Sequence, residues 1–465
     1  MTTTADTTRD AALEAHLDAT AEERLDSYRA FLRFPSISAL AANADDCLAA
    51  AQWLSAQLEG AGAEHVEVVP TEGHPVVYAD WLHAEGAPTV IVYGHYDVQP
   101  VDPLDEWASP PFEPAIRDGR IVARGAADDK GQIHLHLMAL EGLMRTRGRL
   151  PVNVRYVFEG DEESNSAGVT QWLRENRERL GADVVVISDT SFFDGNVPAI
   201  TLGLRGLMYA QIDVEGPPID LHSGSYGGIV ENPANALAQI LAALKGPDGR
   251  IRIPGFYDEV RALTDHERRA FGELPFDEAT YAARLAVPEL VGEVGFTTLQ
   301  RGWARPTLDV NGMWSGFQGE GAKTIIPARA HAKVSSRLVP DQDPDVIFDR
   351  LKSFVETIRP PGVKVTVNSL GGGLPSLTPM DHPATQATAR AIERAFGRAP
   401  VYVREGGSIP VCASFGSILG LPVVLAGFSN PDDNAHAPNE AMVLDNYERG
   451  IRAVAYLFDE LAALD

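Results

Sequence analysis

The run Thr89-Val90-Ile91-Val92-Tyr93-Gly94-His95-Tyr96-Asp97 constrains this chain more than any other stretch. Its β-branched apolar residues read as a buried strand, which stops at a glycine followed by a histidine and a carboxylate two positions apart. Residues i and i+2 of an extended chain share a face, so His95 and Asp97 open into one space. An imidazole beside a carboxylate is the usual beginning of a metal site, the acid serving either as a ligand or as the group that orients the imidazole.

Two further strands, over residues 152–158 and 183–187, also run into acid: Glu159, Asp161, Glu162 and Glu163 after the first, Asp189 after the second. A loop over 124–131 carries Asp128 and Asp129 and opens a helix, and a strand over 421–427 leads to a polar loop holding His436. Ligands of open α/β sheets sit beyond the carboxyl ends of the strands, where such loops converge.

Two cations a few ångströms apart repel unless an anion is shared between them. The inventory supplies that arrangement: Asp128 to bridge, His95 and Asp189 for one ion, Glu163 and His436 for the other, with room for a water between them. Imidazole and carboxylate without thiolate suit zinc, and manganese or cobalt would also be accepted. Glu162 adjoins Glu163, and neighbouring side chains in a turn diverge, so Glu162 is placed to act as general base. No H-E-x-x-H, Walker loop or G-x-S-x-G elbow occurs. Gly371-Gly372-Gly373 reads as a turn rather than a phosphate cradle, and the remaining histidines, His134 and His136 among them, read as structural or solvated.

At 465 residues the chain is long for one domain. Its 39 basic against 65 acidic residues give a formal charge of -26, which argues against nucleic acid and anionic membrane as partners. Two cysteines, Cys47 and Cys412, build no disulfide framework, and the polar N-terminus lacks the apolar core of a signal peptide, so a cytoplasmic location is expected.

Helical periodicity is expected over about 13–34, after a short disordered tail, and over 45–60. Strand and helix then alternate through Asp189, predicting an α/β fold with a mainly parallel layered sheet and helices on both faces. After it, strands near 207–213, 308–313, 330–336 and 363–367, with helices capped at Asn232 and Asp343, give the order βαββαβ of a ferredoxin-like α+β domain. The expected division is a catalytic domain over 1–205 and 381–465 with an inserted lid over 206–380. The charged segment 245–305 interrupts the lid, carries a mixed helical pattern and has no assigned task.

The motifs Tyr93-Gly94-His95-Tyr96-Asp97-Val98-Gln99-Pro100, Arg124 to Gly131, Glu159-Gly160-Asp161-Glu162-Glu163-Ser164, Ile187-Ser188-Asp189 and Asn434-Ala435-His436 resemble the di-zinc metallohydrolases that include carnosinases, cytosolic non-specific dipeptidases, carboxypeptidase G and acetylornithine deacetylase. The resemblance implies two zinc ions per subunit, Asp97 as support for His95, Glu162 as base, and a cis peptide between Asp128 and Asp129. Within that family, Asp220-Leu221-His222-Ser223-Gly224, Gly321 to Pro327, Ser336-Arg337-Leu338 and Arg404 to Pro410 look like the dipeptidase branch. This implies a homodimer joined through the lids, with His222 and Thr324 reaching the partner's site and His222 binding the oxyanion. Arg337, Gly407 and Ser408 would hold a substrate carboxylate, and Glu405 would meet a free α-ammonium. From the residues alone, the favoured readings are Arg337 as an ordinary ion pair within the lid and His222 as a loop cap. The expected activity is hydrolysis of dipeptides or short peptides, with N-acyl-amino-acid amidohydrolase or carboxypeptidase as the alternative.

Overall fold

The structure is a computed structural model describing residues 4–464 apart from Asn165, Asn196 and Ser408. The chain divides into two compact units, one of Met1–Leu202, Thr378–Val403 and Pro410–Asp465, the other of Gly203–Leu377 and Arg404–Ile409.

The first unit is built on strands β1 (Glu64–Val69), β2 (Val76–Trp81), β3 (Thr89–His95), β4 (Asn153–Glu159), β5 (Val184–Ile187) and β6 (Ala199–Leu204). A strand at Val423–Leu425 joins them between β5 and β6, giving the order β1-β2-β4-β3-β5-(423–425)-β6. Pairing is parallel through the centre, from β4 to 423–425, and antiparallel at both margins, so the sheet is mixed rather than parallel throughout. The central strands are apolar at nearly every position because both their faces are covered, as parallel strands require.

Helices α1 (Thr4–Ala19), α2 (Ala21–Leu32), α3 (Ala44–Ala61), α4 (Lys130–Arg147) and α5 (Ala167–Glu175) belong to this unit. The helix begins at Thr4, where a disordered tail was expected, and the continuous helix expected over 13–34 is two. The break falls at Thr20, whose hydroxyl donates to His16 O at 2.8 Å, while Arg24 Nη1 donates to Leu17 O at 2.6 Å. Thr20 N also donates to His16 O, so it is at Leu17 O, taken up by the Arg24 guanidinium, that a side chain stands where a continuing helix would place a backbone N–H. Helix α4 is buried from Lys130 through Leu140, which explains how His134 and His136 come to lie in the core. His134 lies between Tyr447 Oη at 2.8 Å and Ser27 Oγ at 3.1 Å, and His136 meets Ser188 Oγ at 2.7 Å. The strand expected over 421–427 is shorter, at Val423–Leu425, since Pro422 cannot donate to a ladder.

The second unit holds β7 (Gly206–Glu215), β8 (Asp309–Ser315), β9 (Arg329–Leu338) and β10 (Lys364–Gly373), in the order β8-β9-β7-β10 with every pair antiparallel. Its helices α6 (Pro233–Leu244) and α7 (Pro344–Ile358) start where Asn232 and Asp343 side chains accept from Ala234 N, and from Asp345 N and Val346 N. Strands β7 and β9 alternate strictly between buried and half-buried positions. Their inward row, with Ile212, Val214 and Val334, packs on Leu237, Ile240 and Leu351 of the helices. A sheet covered on one face by two helices in βαββαβ order is the ferredoxin-like arrangement. Gly371 to Gly373 extend β10 instead of forming a turn: a Cβ on Gly372 would come within 2.6 Å of Leu207 O, so this close approach needs glycine. Residues 404–409, expected with the catalytic domain, group with this unit because Arg205 N and Nε donate to Gly407 O and Gly406 O, both at 3.2 Å. No helix among the described residues is long and apolar enough to cross a membrane.

Candidate metal centre

Strand register in the first unit sets His95 opposite Glu159 and Tyr93 opposite Ile187, so the three central strands end together. The acids that follow them therefore share one edge. His95 is fully buried, with Nδ1 3.1 Å from Asp97 O and 3.4 Å from Asp97 Oδ1. Its Nε2 lies 3.1 Å from Asp128 Oδ1 and 3.8 Å from Asp189 Oδ2. The other oxygen of Asp128, Oδ2, lies 2.8 Å from His436 Nε2, which in turn is 3.2 Å from Glu163 Oε2. His95, Asp128 and Asp189 thus form one group of ligand atoms and Asp128, Glu163 and His436 a second, the atoms of each within 4.8 Å of one another. A carboxylate with one oxygen in each group has the geometry of a bridge. The peptide between Asp128 and Asp129 is cis.

Asp97 supports more than His95. Its Oδ1 accepts from Glu162 N at 3.2 Å and its Oδ2 from Glu163 N at 3.1 Å, fixing the turn that carries both glutamates. Gln99 Nε2 then donates to Glu163 Oε2 at 2.7 Å. The loop bearing Asp128 is held by Glu440, a fully buried residue that belongs to none of the sequence motifs. Glu440 Oε1 accepts from Ala127 N and Asp128 N at 2.9 and 3.0 Å, and Oε2 from Gly125 N at 3.0 Å and Arg124 Nη1 at 2.8 Å. From the other side Tyr28 Oη donates to Ala126 O at 2.5 Å. His436 has φ +64, a conformation uncommon outside glycine and one kept where a fixed side-chain direction is required.

The donor set fits divalent cations. His95 Nε2 and Glu163 Oε1 are buried without a hydrogen-bond partner among the described residues, an expensive state for polar atoms that no cation satisfies. The protonation pattern agrees. Hydrogen bonds donated to Asp128 and Glu163 push His436 up to about 10; burial lowers His95, but Asp128, with Asp97, raises it overall. Burial alone would raise Asp128, but the two imidazoles hold it below the usual carboxylate range. Burial pushes Glu162 up to about 7, with His95 lowering it and Glu163 raising it, which suits a group that must take and return a proton near neutrality. The protein's own groups therefore draw protons to positions that a metal would occupy.

The residues expected to touch substrate lie in the second unit. His222 pairs with Ile325 in a short antiparallel ladder, and Ser223 N donates to Thr324 O at 3.1 Å, so His222 and Thr324 are neighbours. His222 does cap a loop: its Nδ1 accepts from Gly224 N at 3.0 Å, which puts the proton of the neutral ring on Nε2. Arg337 lies near the end of β9, half-buried. Burial and the charge of Arg337 lower Arg205 to about 10, and Arg205, a residue outside every motif, thereby joins the cationic set. Glu405 ends the strand Val401–Glu405 and Gly407 follows in the exposed bend, while Ser408 lies outside the described residues.

Comparison with known proteins places this geometry. A Cys-Gly metallodipeptidase of Schizosaccharomyces pombe is 35% identical over 396 residues, covering 84% of this chain and 83% of that protein. Human Beta-Ala-His dipeptidase is 33% identical over 395 residues, covering 84% and 78%. Among solved structures, an M20 family metallo-carboxypeptidase from Sulfolobus solfataricus matches with a TM-score of 0.82 at 34% identity, over 95% of this chain and all of that one. Human carnosine dipeptidase 1 matches at 0.76 and 29%, over 98% and 99%. The profile of Peptidase family M20/M25/M40 matches residues 91–460, from the interior of β3 to beyond the loop of His436. A metal-dependent peptidase centre assembled from those strand ends, and matched over that span, makes this chain a member of peptidase family M20/M25/M40.

Proposed function

We propose that the protein is a dipeptidase carrying two zinc ions per subunit, with Asp128 as bridge, His95 and Asp189 on one ion, and Glu163 and His436 on the other. The observation that carries this reading is the split of the Asp128 carboxylate between two imidazoles, 3.1 Å and 2.8 Å away. Cations bound there would polarise the scissile carbonyl and acidify water. Glu162 would take the proton of the attacking water and deliver it to the departing amine, its turn kept in place by Asp97. The Nε2 proton of His222 would stabilise the oxyanion. Arg337, with Arg205 beside it, and the bend at Gly407 would receive the substrate carboxylate, as fork donors suit a planar anion. Glu405 would meet the free α-ammonium.

Support for dipeptides comes from the names of the Schizosaccharomyces pombe and human relatives. The Sulfolobus metallo-carboxypeptidase favours a second reading, release of C-terminal residues or of N-acylated amino acids. We place the enzyme in the cytoplasm, as a homodimer through its lids with His222 and Thr324 serving the partner's site. Support for the first is that Cys47 and Cys412 are both buried and form no disulfide, and for the second that edge strand β8 exposes Val310, Met313 and Trp314. The test is hydrolysis of matched dipeptides and N-acetyl amino acids after separate loading with zinc, manganese and cobalt. Zinc-supported cleavage of free dipeptides is expected. Cleavage confined to acylated substrates would install the second reading, and cleavage of neither would remove both.

A further inference from the structure

The segment 245–305 forms three short helices: Asp265–Gly272, Glu278–Arg284 and Thr298–Ala304. It is stitched to itself by Glu293, which accepts from Arg250 Nη1 at 3.1 Å and from Arg305 Nε at 2.7 Å. Leu263, Phe271 and Ala304 make a small buried cluster, with Phe271 edge-on to Trp303 at 5.1 Å. The Glu267 side chain leaves this segment for the end of the strand Val401–Glu405. Glu267 is the third residue of its helix, and its Oε2 closes a capping box, accepting from Thr264 N at 2.7 Å and Thr264 Oγ1 at 2.9 Å. The cap fixes the carboxylate and leaves Oε1 to pair with Arg404 Nη2. Arg404 is 5% exposed and Glu267 9%, so the pair is desolvated and either charge alone would be costly there. The bend that follows this strand is gripped by Arg205, whose Nε donates to Gly406 O and whose N–H donates to Gly407 O. A Cβ at Gly406 would stand 2.6 Å from Arg205 Nη2.

We propose that the 245–305 segment is a buttress for substrate recognition, with Glu267 and Arg404 as positioning residues that hold Glu405 and Gly407 in the pose that accepts the two charged ends of a dipeptide. The inference rests on the reading of that loop as a substrate contact. Breaking the pair then loosens the loop without touching the metals, so the loss falls on substrate affinity. The decisive variant is Glu267→Gln, which keeps a capping-box partner for Thr264 but removes the charge facing Arg404. With the metal-loaded enzyme and a dipeptide, Glu267→Gln is expected to raise KM about tenfold with kcat within about twofold, and metal content and circular dichroism should match the parent. Arg404→Ala should do the same, and the double variant should be no worse than the poorer single one. An unchanged KM in Glu267→Gln overturns the proposal, as does a joint fall of kcat and metal content. Should Glu267→Gln fail to fold, Arg404→Lys decides, since it keeps the cation and loses the fork; a parental KM there overturns the proposal too. Glu405→Gln run alongside separates the two readings. If it raises KM while Glu267→Gln does not, the buttress falls and Glu405 stands as a substrate contact; if neither moves KM, the loop is no substrate contact, and the buttress falls together with the role of Glu405 while dipeptide cleavage itself is untouched.

Discussion

Asp97 touches His95 with one end of its residue and two glutamate N–H groups with the other, so it couples the first metal group to the turn that carries the base. An amide at this position would aim a donor at one of those N–H groups. Asp97→Asn should therefore weaken metal binding roughly ten- to a hundredfold while leaving the fold in place, measured by chelator competition; parental affinity would show that the two hydrogen bonds are incidental. The pair His95 and Asp97 was legible in the sequence because its geometry is local, two residues apart on a strand end. Gln99 stands in the same motif, but its task does not show there, because its partner Glu163 lies 64 residues on. His436 supports a prediction of opposite character. Raised to about 10, it is protonated near neutral pH when no cation is bound, so metal uptake must expel that proton. Calorimetry in buffers of differing ionisation enthalpy should show net proton release near pH 7 and tighter binding as pH rises. A release of zero would mean that His436 is not a ligand.

Elements carry the same lesson one level up. The central strands and the alternation of the lid strands could be read from apolar patterning, because burial on two faces or one leaves a different period in the sequence. The short helices of 245–305 show in the sequence only as a mixed helical pattern without bounds, although their starts are written there: Thr264 with Glu267 and Thr297 with Gln300 are capping boxes, and Asp277 caps the helix between them. What apolar period these helices have is too brief to register, so the caps were the usable signal. The loop over 124–131 shows what no local pattern reveals. Its shape depends on Glu440, more than 300 residues away, which accepts from three successive-turn N–H groups and from the buried Arg124. Glu440→Ala would leave that guanidinium and those donors unsatisfied together, a loss of about 3–5 kcal/mol. Denaturant titration of the metal-free protein should register it as a lower midpoint at constant slope. A midpoint at the parental value would mean that the loop keeps its shape without this residue.

At the scale of the molecule the question is whether one chain completes its own site. In the proposed dimer His222 acts on the partner's substrate, whereas Glu162 acts on its own, so the two residues can be separated genetically. Glu162→Gln alone should keep its metals and lose roughly two to four decades of kcat, and His222→Ala should also lower kcat with metals retained. Mixed and allowed to exchange subunits, the two variants form heterodimers in which one site has a glutamine base and an alanine opposite, while the other has Glu162 and His222 both intact. Random exchange makes half the dimers mixed, with one sound site in two, so activity should return to roughly a quarter of the parent level. Were His222 to serve its own chain, no heterodimer would own a complete site and mixing would restore nothing. The exposed β8 residues give the complementary arm: Met313→Glu with Val310→Lys should yield a monomer by sedimentation that binds metal normally and turns over at the His222→Ala rate, because removing the partner removes the same imidazole. A monomer as fast as the parent would place the oxyanion donor within the chain and leave the lid edge with no part in catalysis.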